Sequence, residues 1–421
     1  MGSLTTGKAK GFWGEIRPPS DKSLTHRAYM ISAIATNGGV IETPLDSQDC
    51  NHTLECMSAL GARVSATPGL VRIGGGGTLM PPRAPLECGN SGTTMRLLAG
   101  LLSGAGVKAQ LRGDNSLSRR PMRRIVEPLQ RMGARIEGDT APLFIEPAEL
   151  HGIDYVSPIP SAQIKSAVLL AGLFAEGETS VTEPAPSRDH TERMLGAAGC
   201  DVKREGLKAT VQRSKPSRVA MRVPADVSSA AYFMVAAAII GGPITCLQVG
   251  VNPTRVGILE LLHTVGAHVE MTPPRGEQGE PVSDIVVSSG ELRPFEIDGP
   301  MVPRLVDEIP ILAVLATQCE GTSTVRGAAE LRVKESDRIA AIADGLTRMG
   351  ASIVVFEDCF AIHGPTPLKG AKIAAQRDHR IGMAFAIAGL VADAVTTISG
   401  SETIDTSFPG FGAEVARLAD V

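Results

Sequence analysis

The run 89–96, Gly-Asn-Ser-Gly-Thr-Thr-Met-Arg, combines two glycines and helix-capping residues with an arginine about one turn later. An apolar stretch of helical period follows, so residues 90–93 are expected to form a helix N-terminus. Such an end carries roughly half a positive charge. Glycine lets a ligand approach the backbone, and Arg96 can lean back toward it. The run predicts a site for a small phosphate or carboxylate; the alternative is an ordinary capped core helix.

A second run, 20–27, places a lysine, a hydroxyl and an arginine around another expected helix start. Lys22 is a point charge, Ser23 a hydroxyl donor and Arg27 a planar fork of donors. All three suit one anion. The alternative is a helix cap with two solvated bases.

Two polar loops in the N-terminal half of the chain could close over an anion. Residues 111–121 follow a predicted strand and contain Arg119 and Arg120. Residues 186–193 begin an outer helix and are polar enough to line a cleft. Either loop could equally be a solvent-exposed connection.

Ser161 is expected to cap a third helix, with Gln163 and Lys165 in its first turn. A cation in a first turn opposes the helix dipole. Lys165 therefore predicts that something anionic lies beside it.

Carboxylates and bases cluster in the second half of the chain. Asp307 and Glu308 stand at the start of a buried helix, where capping is the alternative explanation. Residues 332–338 hold five charged residues, and 377–380 begin the last buried helix. Because all these motifs fall at helix starts, they could meet at one rim. A cleft lined by them would suit two anionic substrates, or one substrate with two anions.

Composition excludes several classes of function. The 421 residues carry a net charge of −4 and only 3% are aromatic, which argues against nucleic-acid binding. The seven cysteines form no C-x-x-C pair and the eight histidines show no metal-ligand spacing. We therefore expect no metal and a cytoplasmic, reducing location. Apolar runs of about a dozen residues fall short of the roughly 20 that cross a bilayer, and we expect no membrane segment or signal peptide.

Two patterns recur along the chain at intervals of about 70 residues. One is a glycine that ends a helix before a strand, as expected of a left-handed C-cap; it occurs at Gly61, Gly133, Gly199, Gly266 and Gly350. The other is a buried, apolar helix that begins near Ser23, Gly92, Ser161, Ser228, Asp307 and Asp378. The chain thus contains six repeats of strand, buried helix, strand, outer helix, strand, strand. The sixth lacks its final strands because the chain stops.

The repeats divide into two groups of three. Residues 14–17 and 220–223 are predicted strands, each followed by a similar segment that contains Pro19 or Pro224. Prolines at these places suit crossings between domains. We therefore predict an α/β fold of two similar domains, each of three βαβαββ repeats with buried helices. Residues 18–223 form the first; residues 1–17 and 224–421 form the second.

Taken together and in order, these motifs resemble the enolpyruvyl transferases over essentially the whole chain, most closely the branch that acts on shikimate 3-phosphate. They are Lys22-Ser23 with Arg27, 89–93 with Arg96, 119–121, 161–163, Asp307, 334–338 and 378–380. The resemblance implies an active site in the cleft between two such domains. It implies transfer of the enolpyruvyl group of phosphoenolpyruvate to the 5-hydroxyl of shikimate 3-phosphate, with loss of phosphate, on the shikimate pathway to chorismate and the aromatic amino acids. It implies no cofactor, and we expect a monomer.

The resemblance also assigns site residues. Shikimate 3-phosphate would be bound by Ser23, Arg27, Ser161, Gln163, Ser187, Asp307 and Lys334. Phosphoenolpyruvate would be bound by Lys22, Asn90, Gly92, Arg120, Arg338 and Arg380.

Proton transfer in this reaction needs general acids and bases, and Glu335 and Asp307 are the candidates. We assign Glu335 to the methylene and methyl protons and Asp307 to the hydroxyl proton. Lys22 could share proton transfer or stabilise charge. The sequence leaves this allocation open.

Several positions depart from the better-known branch of the family. Ala162 stands where a second serine is common, His190 where a tyrosine is common, Thr406 where a lysine is common and Leu97 where a proline is common. Lys165 could supply a compensating charge. Gly92 keeps the small residue of the phosphoenolpyruvate pocket, in which the inhibitor glyphosate competes in this family.

Two alternatives stay open. The sister family, which transfers enolpyruvyl to a UDP-amino sugar, usually carries a reactive cysteine in the loop that corresponds to 113–121, and this loop has none. The chain could instead be a non-catalytic anion-binding module. Asp307 and Glu335 argue against that role, because a binder of anions gains nothing from carboxylates in its cleft.

Overall fold

The computed structural model describes residues 2–76 and 78–420, and within them six helices are buried nearly all round. These buried helices are Lys22–Ile34, Gly92–Gly104, Ala162–Gly172, Val227–Ile240, Ile309–Ala316 and His379–Gly389. The other helices are Gln48–Ala59, Arg123–Arg131, His190–Ala197, Gly257–Thr264, Met301–Leu305, Arg338–Arg348 and Phe411–Leu418. Short 3₁₀ turns occupy Leu117–Arg119, Ala329–Val333 and Ser401–Thr406.

The buried helices begin where capping side chains allow. In five of the six, an Asp or Ser oxygen accepts a backbone N–H of the first turn; these caps are Asp21, Ser91, Ser161, Asp226 and Asp378. The sixth, Ile309–Ala316, has a proline in its first turn instead, which is favourable because the N–H there has no helical partner.

The chain forms two compact units. The first unit comprises Ser20–Val223 and Gly276–Glu280. The second unit comprises the residues up to Pro19, Pro224–Arg275 and the residues from Pro281 onward. Each unit has its own apolar core.

Among the described residues, the first unit contains three four-stranded sheets with the same strand pattern. In each, a parallel pair is followed by two antiparallel pairings. In spatial order the sheets are Val219–Arg222, Gly39–Glu42, Leu70–Ile73, Val64–Thr67; then Leu86–Glu87, Ala109–Arg112, Leu143–Glu146, Arg135–Glu137; then Asp154–Val156, Thr179–Thr182, Lys208–Val211, Val202–Glu205.

The second unit repeats the pattern in two of its sheets, and its third sheet has one parallel and one antiparallel pairing among the described residues. Its sheets are Gly14–Ile16, Ile244–Gly250, Glu280–Ser288, His268–Met271; then Glu296–Ile297, Gly321–Val325, Phe360–Gly364, Ser352–Val355; then Lys372–Ala374, Thr396–Ser399, Ser3–Thr6. Gly11–Phe12 pairs with Ala419–Asp420, and Arg275–Glu277 is a further short strand. The predicted α/β fold of βαβαββ repeats is confirmed, and among the described residues the sheet of the sixth repeat has three strands instead of four.

Two details differ from the sequence prediction. The sixth repeat was expected to lack its last strands, but Ser3–Thr6 pairs antiparallel with Thr396–Ser399 and supplies one. The first unit also includes Gly276–Glu280, where side chains of Glu277 and Gln278 accept N–H groups from the strand Val219–Arg222. Both are pairings between segments far apart in sequence, which no local pattern encodes.

Glycine sets the distance between two helices that carry site residues. A Cβ on Gly100 would lie 2.1 Å from the carbonyl oxygen of Ala167. The helices Gly92–Gly104 and Ala162–Gly172 can therefore touch along their backbones only because position 100 has no side chain. This contact brings Arg96 and Gln163 together.

Among the described residues, no helix is both long and apolar enough to span a bilayer. The same residues contain no cluster of three or more His, Cys, Asp or Glu side chains that could hold a metal ion.

His26, in the first buried helix, predicts a pH dependence of stability. Burial, opposed by Asp49 and reinforced by Lys22 and Arg27, lowers the pKa of His26 from 6.5 to about 3. Below pH 6.5 the imidazole is therefore protonated in the unfolded chain but stays neutral in the folded chain. The free energy of unfolding should fall as the pH drops below 6.5. By about pH 5 the loss should reach about 2 kcal/mol.

Urea denaturation of the wild type and of His26→Gln, across this pH range, measures the effect. The wild type should lose more free energy of unfolding than the variant between pH 7 and about pH 5. If the free energy of unfolding fell equally with pH in both proteins, His26 would not couple protonation to folding.

Candidate functional site

The first unit holds Arg27 in a fixed position at the start of the first buried helix. Its guanidinium donates to the hydroxyls of Thr191 and Ser166 and to the carbonyl oxygen of Ser23. Lys22, one turn earlier, pairs with Asp49 at 3.2 Å. The predicted grouping of Lys22, Ser23 and Arg27 is thus built on one helix start.

Asn90 and Arg120 meet, although 30 residues separate them in the chain. The Asn90 side-chain oxygen accepts from Arg120, and its amide nitrogen donates to Asp114 at 2.7 Å. Asp114 also accepts the backbone N–H groups of Ser116 and Leu117. The carboxylate therefore ties the loop that carries Asn90 to the loop that carries Arg120.

Gly92 lies next to the guanidinium groups of Arg96 and Arg120. A Cβ at this position would be 2.8 Å from Nη1 of Arg96 and 3.5 Å from Nη1 of Arg120. Arg96 in turn donates to Gln163 Oε1 at 2.8 Å, and Gln163 donates to Thr93 at 3.1 Å. The predicted phosphoenolpyruvate residues Asn90, Gly92 and Arg120 are thus adjacent.

Lys165 has its anion inside the protein. Its Nζ lies 2.7 Å from Glu183 and 2.9 Å from Glu192, and all three side chains are buried. Burial alone would lower the pKa of Lys165, but the two carboxylates raise it overall. These two carboxylates explain why a lysine can stand in the first turn of a helix. One follows the end of a later strand and the other lies on an outer helix.

Glu183 also contacts two residues assigned to shikimate 3-phosphate. It accepts the backbone N–H of Ser161 at 2.7 Å and the hydroxyl of Ser187 at 2.8 Å. The segments around Ser161 and Ser187 are therefore joined through the Glu183 carboxylate.

His190, which stands in place of a common tyrosine, is buried, and its Nδ1 lies 2.8 Å from Oε1 of Glu280.

The second unit gathers carboxylates around two buried arginines. Arg338 Nη2 lies 2.7 Å from Glu335, and its Nη1 lies 3.4 Å from Asp307. Arg380 Nε lies 3.4 Å from the same Asp307 oxygen, and its Nη1 donates to the Asp307 carbonyl at 3.2 Å. The four predicted residues Asp307, Glu335, Arg338 and Arg380 thus form one cluster.

Asp378 anchors this cluster. Its side chain is fully buried, and it accepts from Arg338 Nε at 2.8 Å, from the Ser336 hydroxyl at 3.1 Å and from the Arg380 backbone N–H at 3.0 Å. Burial alone would lower the pKa of Arg338, but Asp378 and then Glu335 raise it. The sequence pointed to Asp378 only as a helix start, because its partner lies 40 residues away.

Other predicted positions have local partners. Lys334 pairs with Glu330 at 2.9 Å. The Thr406 hydroxyl donates to the carbonyl of Thr403 at 2.8 Å, within its own 3₁₀ turn, and Leu97 is buried in the core.

Chemically, the first unit offers fixed cationic and hydroxyl donors, and the second offers carboxylates held against arginines. The donors suit phosphate and carboxylate groups. The carboxylates can exchange protons with a bound molecule.

Comparison with known proteins agrees with these features. Residues 8–415 match the family model for EPSP synthase (3-phosphoshikimate 1-carboxyvinyltransferase). Relatives of that name from Brevibacillus brevis and Methylococcus capsulatus are 44% and 47% identical, over 99% and 98% of this chain and 100% and 96% of theirs. A solved structure of EPSP synthase from Acinetobacter baumannii has a TM-score of 0.89 and 43% identity, covering 100% of this chain and 98% of that one.

Proposed function

The chain belongs to the EPSP synthase family, and we propose from this that it transfers the enolpyruvyl group of phosphoenolpyruvate to the 5-hydroxyl of shikimate 3-phosphate. Phosphate is the other product. The reaction is a step of the shikimate pathway. The predicted membership of the enolpyruvyl transferases is confirmed by the family match and by the relatives.

The observation that carries the mechanism is the pairing of Asp307 and Glu335 with buried arginines. Both substrates are anionic and repel one another, so cations fixed in a poorly solvated site are needed to bind them together. Burial would lower the pKa of Arg380, but Asp307 raises it, so this guanidinium stays charged. The same arginines hold the two carboxylates in place for proton transfer.

We assign the proton steps to these carboxylates. Glu335 delivers a proton to the methylene carbon of phosphoenolpyruvate and later removes one from the resulting methyl group. Asp307 accepts the proton of the attacking 5-hydroxyl. Lys22 stabilises developing charge or shares in proton transfer.

We propose that both predicted domains contribute to one active site in the cleft between them. The first domain is 18–223, and the second combines 1–17 with 224–421. Shikimate 3-phosphate contacts Ser23, Arg27, Ser161, Gln163, Ser187, Asp307 and Lys334. Phosphoenolpyruvate contacts Lys22, Asn90, Gly92, Arg120, Arg338 and Arg380. The mutual contacts within each unit support this assignment, notably that of Asn90 with Arg120.

We further propose that the protein acts in the cytoplasm as a monomer and needs no cofactor. Its cysteines are free thiols, as expected in a reducing compartment.

Phosphate release from phosphoenolpyruvate tests the choice of acceptor. One reaction contains shikimate 3-phosphate and a second contains UDP-N-acetylglucosamine. Release only with shikimate 3-phosphate is expected. Release only with the UDP-sugar would place the chain with the sister family, and no release from folded protein in either reaction would favour an anion-binding module.

A further inference from the structure

Arg27 is fixed by two hydroxyl groups that the substrate assignment does not use. Its Nε donates to Thr191 Oγ1 at 2.7 Å, its Nη2 donates to Ser166 Oγ at 2.8 Å, and its Nη1 donates to the Ser23 carbonyl at 3.0 Å. The two hydroxyl oxygens lie 2.7 Å apart. All three groups are buried, and Arg27 is only 3% exposed.

In this arrangement three N–H groups of Arg27 donate to protein oxygens, and the others stay available for a ligand. A guanidinium carries five N–H groups in one plane. Because Thr191 and Ser166 are adjacent, they accept the neighbouring N–H groups along one edge. The Ser23 carbonyl takes one donor of Nη1, which leaves one donor on each terminal nitrogen. Two oxygen atoms of a carboxylate or phosphate can accept this remaining pair.

The hydroxyl pair is itself held firmly. Thr191 lies between His190 and Glu192, which are bound to Glu280 and Lys165. Ser166 follows Lys165 in the helix Ala162–Gly172. Both hydroxyls therefore lie on backbone that is anchored by buried side-chain contacts, which are the hydrogen bond of His190 with Glu280 and the ion pair of Lys165 with Glu192.

Arg27 also remains charged in this setting. Burial lowers the pKa of Arg27 to about 10, and the nearby Glu192 carboxylate opposes the fall. At neutral pH the guanidinium is a cation with its orientation fixed.

We propose that Ser166 and Thr191 are positioning residues for shikimate 3-phosphate. They occupy one edge of Arg27 so that its remaining donors face an anionic group of that substrate. This inference rests on the proposed function, because it takes Arg27 as a contact of shikimate 3-phosphate.

Calorimetric titration with shikimate 3-phosphate alone tests the proposal. Thr191→Val and Ser166→Ala should each raise the Kd about tenfold, the effect of losing a hydrogen bond to a charged group. Thr191→Ser keeps the hydroxyl and should stay within about twofold of wild type. Thr179→Val is the matched control, since the buried Thr179 hydroxyl has no hydrogen-bond partner among the described residues.

A double-mutant cycle separates positioning from general stability. Lysine has no donor edge for two hydroxyls, so Thr191→Val should add little to the Kd change of Arg27→Lys. If Thr191→Val does not fold, Ser166→Ala carries the same test.

Wild-type Kd in folded Thr191→Val and Ser166→Ala would overturn the proposal, as would equal losses in Thr191→Ser and Thr191→Val. A wild-type protein that neither binds shikimate 3-phosphate nor releases phosphate with it would instead overturn the proposed function, and this inference with it.

Discussion

Glu335→Gln is expected to lower turnover at least about 100-fold while the protein stays folded. The amide keeps the shape of the side chain but cannot deliver or accept the proton that the methylene and methyl carbons require. The protein should stay folded because the Glu335 side chain is partly exposed, with 26% accessible, and because the amide oxygen can still accept a hydrogen bond from Arg338. Steady-state kinetics and a melting curve on the same preparation measure both quantities.

Asp307→Asn should have an effect of similar size. Its role differs, because it is proposed to accept the hydroxyl proton while contacting both Arg338 and Arg380. Near-normal turnover in either variant would remove that residue from the proton-transfer steps. The control is the melting temperature of each variant. A value near that of the wild type shows that the lost turnover reflects the chemistry and not unfolding.

Asp378→Asn is expected to act on stability instead. The fully buried carboxylate neutralises Arg338, whose side chain is 1% exposed, and its removal leaves a buried cation short of compensation. Breaking a buried ion pair in this way costs about 3–5 kcal/mol. The free energy of unfolding in urea should fall by that amount.

Asp344→Asn is the matched control for Asp378→Asn. Asp344 also pairs with an arginine, Arg348, at 2.8 Å, but both side chains are at least half exposed. This change should leave the free energy of unfolding close to the wild-type value, because an exposed ion pair contributes little to stability. Equal losses in the two variants would contradict the view that burial makes the Asp378 pair critical.

The elements of the fold could be predicted because their signals are local. Capping residues such as Ser91 and Asp378 precede apolar helices, and glycines such as Gly133 follow outer helices. Repetition of these signals identified the βαβαββ unit. The strand Ser3–Thr6 could not be placed by the same means, because its partner Thr396–Ser399 lies at the other end of the chain.

The site was predicted less completely, for a related reason. Charged residues could be located at helix starts, but their partners could not be deduced from spacing. Lys165 indicated a nearby anion, and the anions are the carboxylates of Glu183 and Glu192. The supporting hydroxyls of Ser166 and Thr191 carry no charge pattern, and only the packing of their two helices against the helix of Arg27 reveals them.

Identification of the product is the most direct test of the proposed reaction. Mass spectrometry and NMR of a mixture of the protein, phosphoenolpyruvate and shikimate 3-phosphate should show an enolpyruvyl ether on the 5-oxygen, formed in equal amount to free phosphate. Phosphate with pyruvate and unchanged shikimate 3-phosphate would show that the chain hydrolyses phosphoenolpyruvate and does not transfer its enolpyruvyl group.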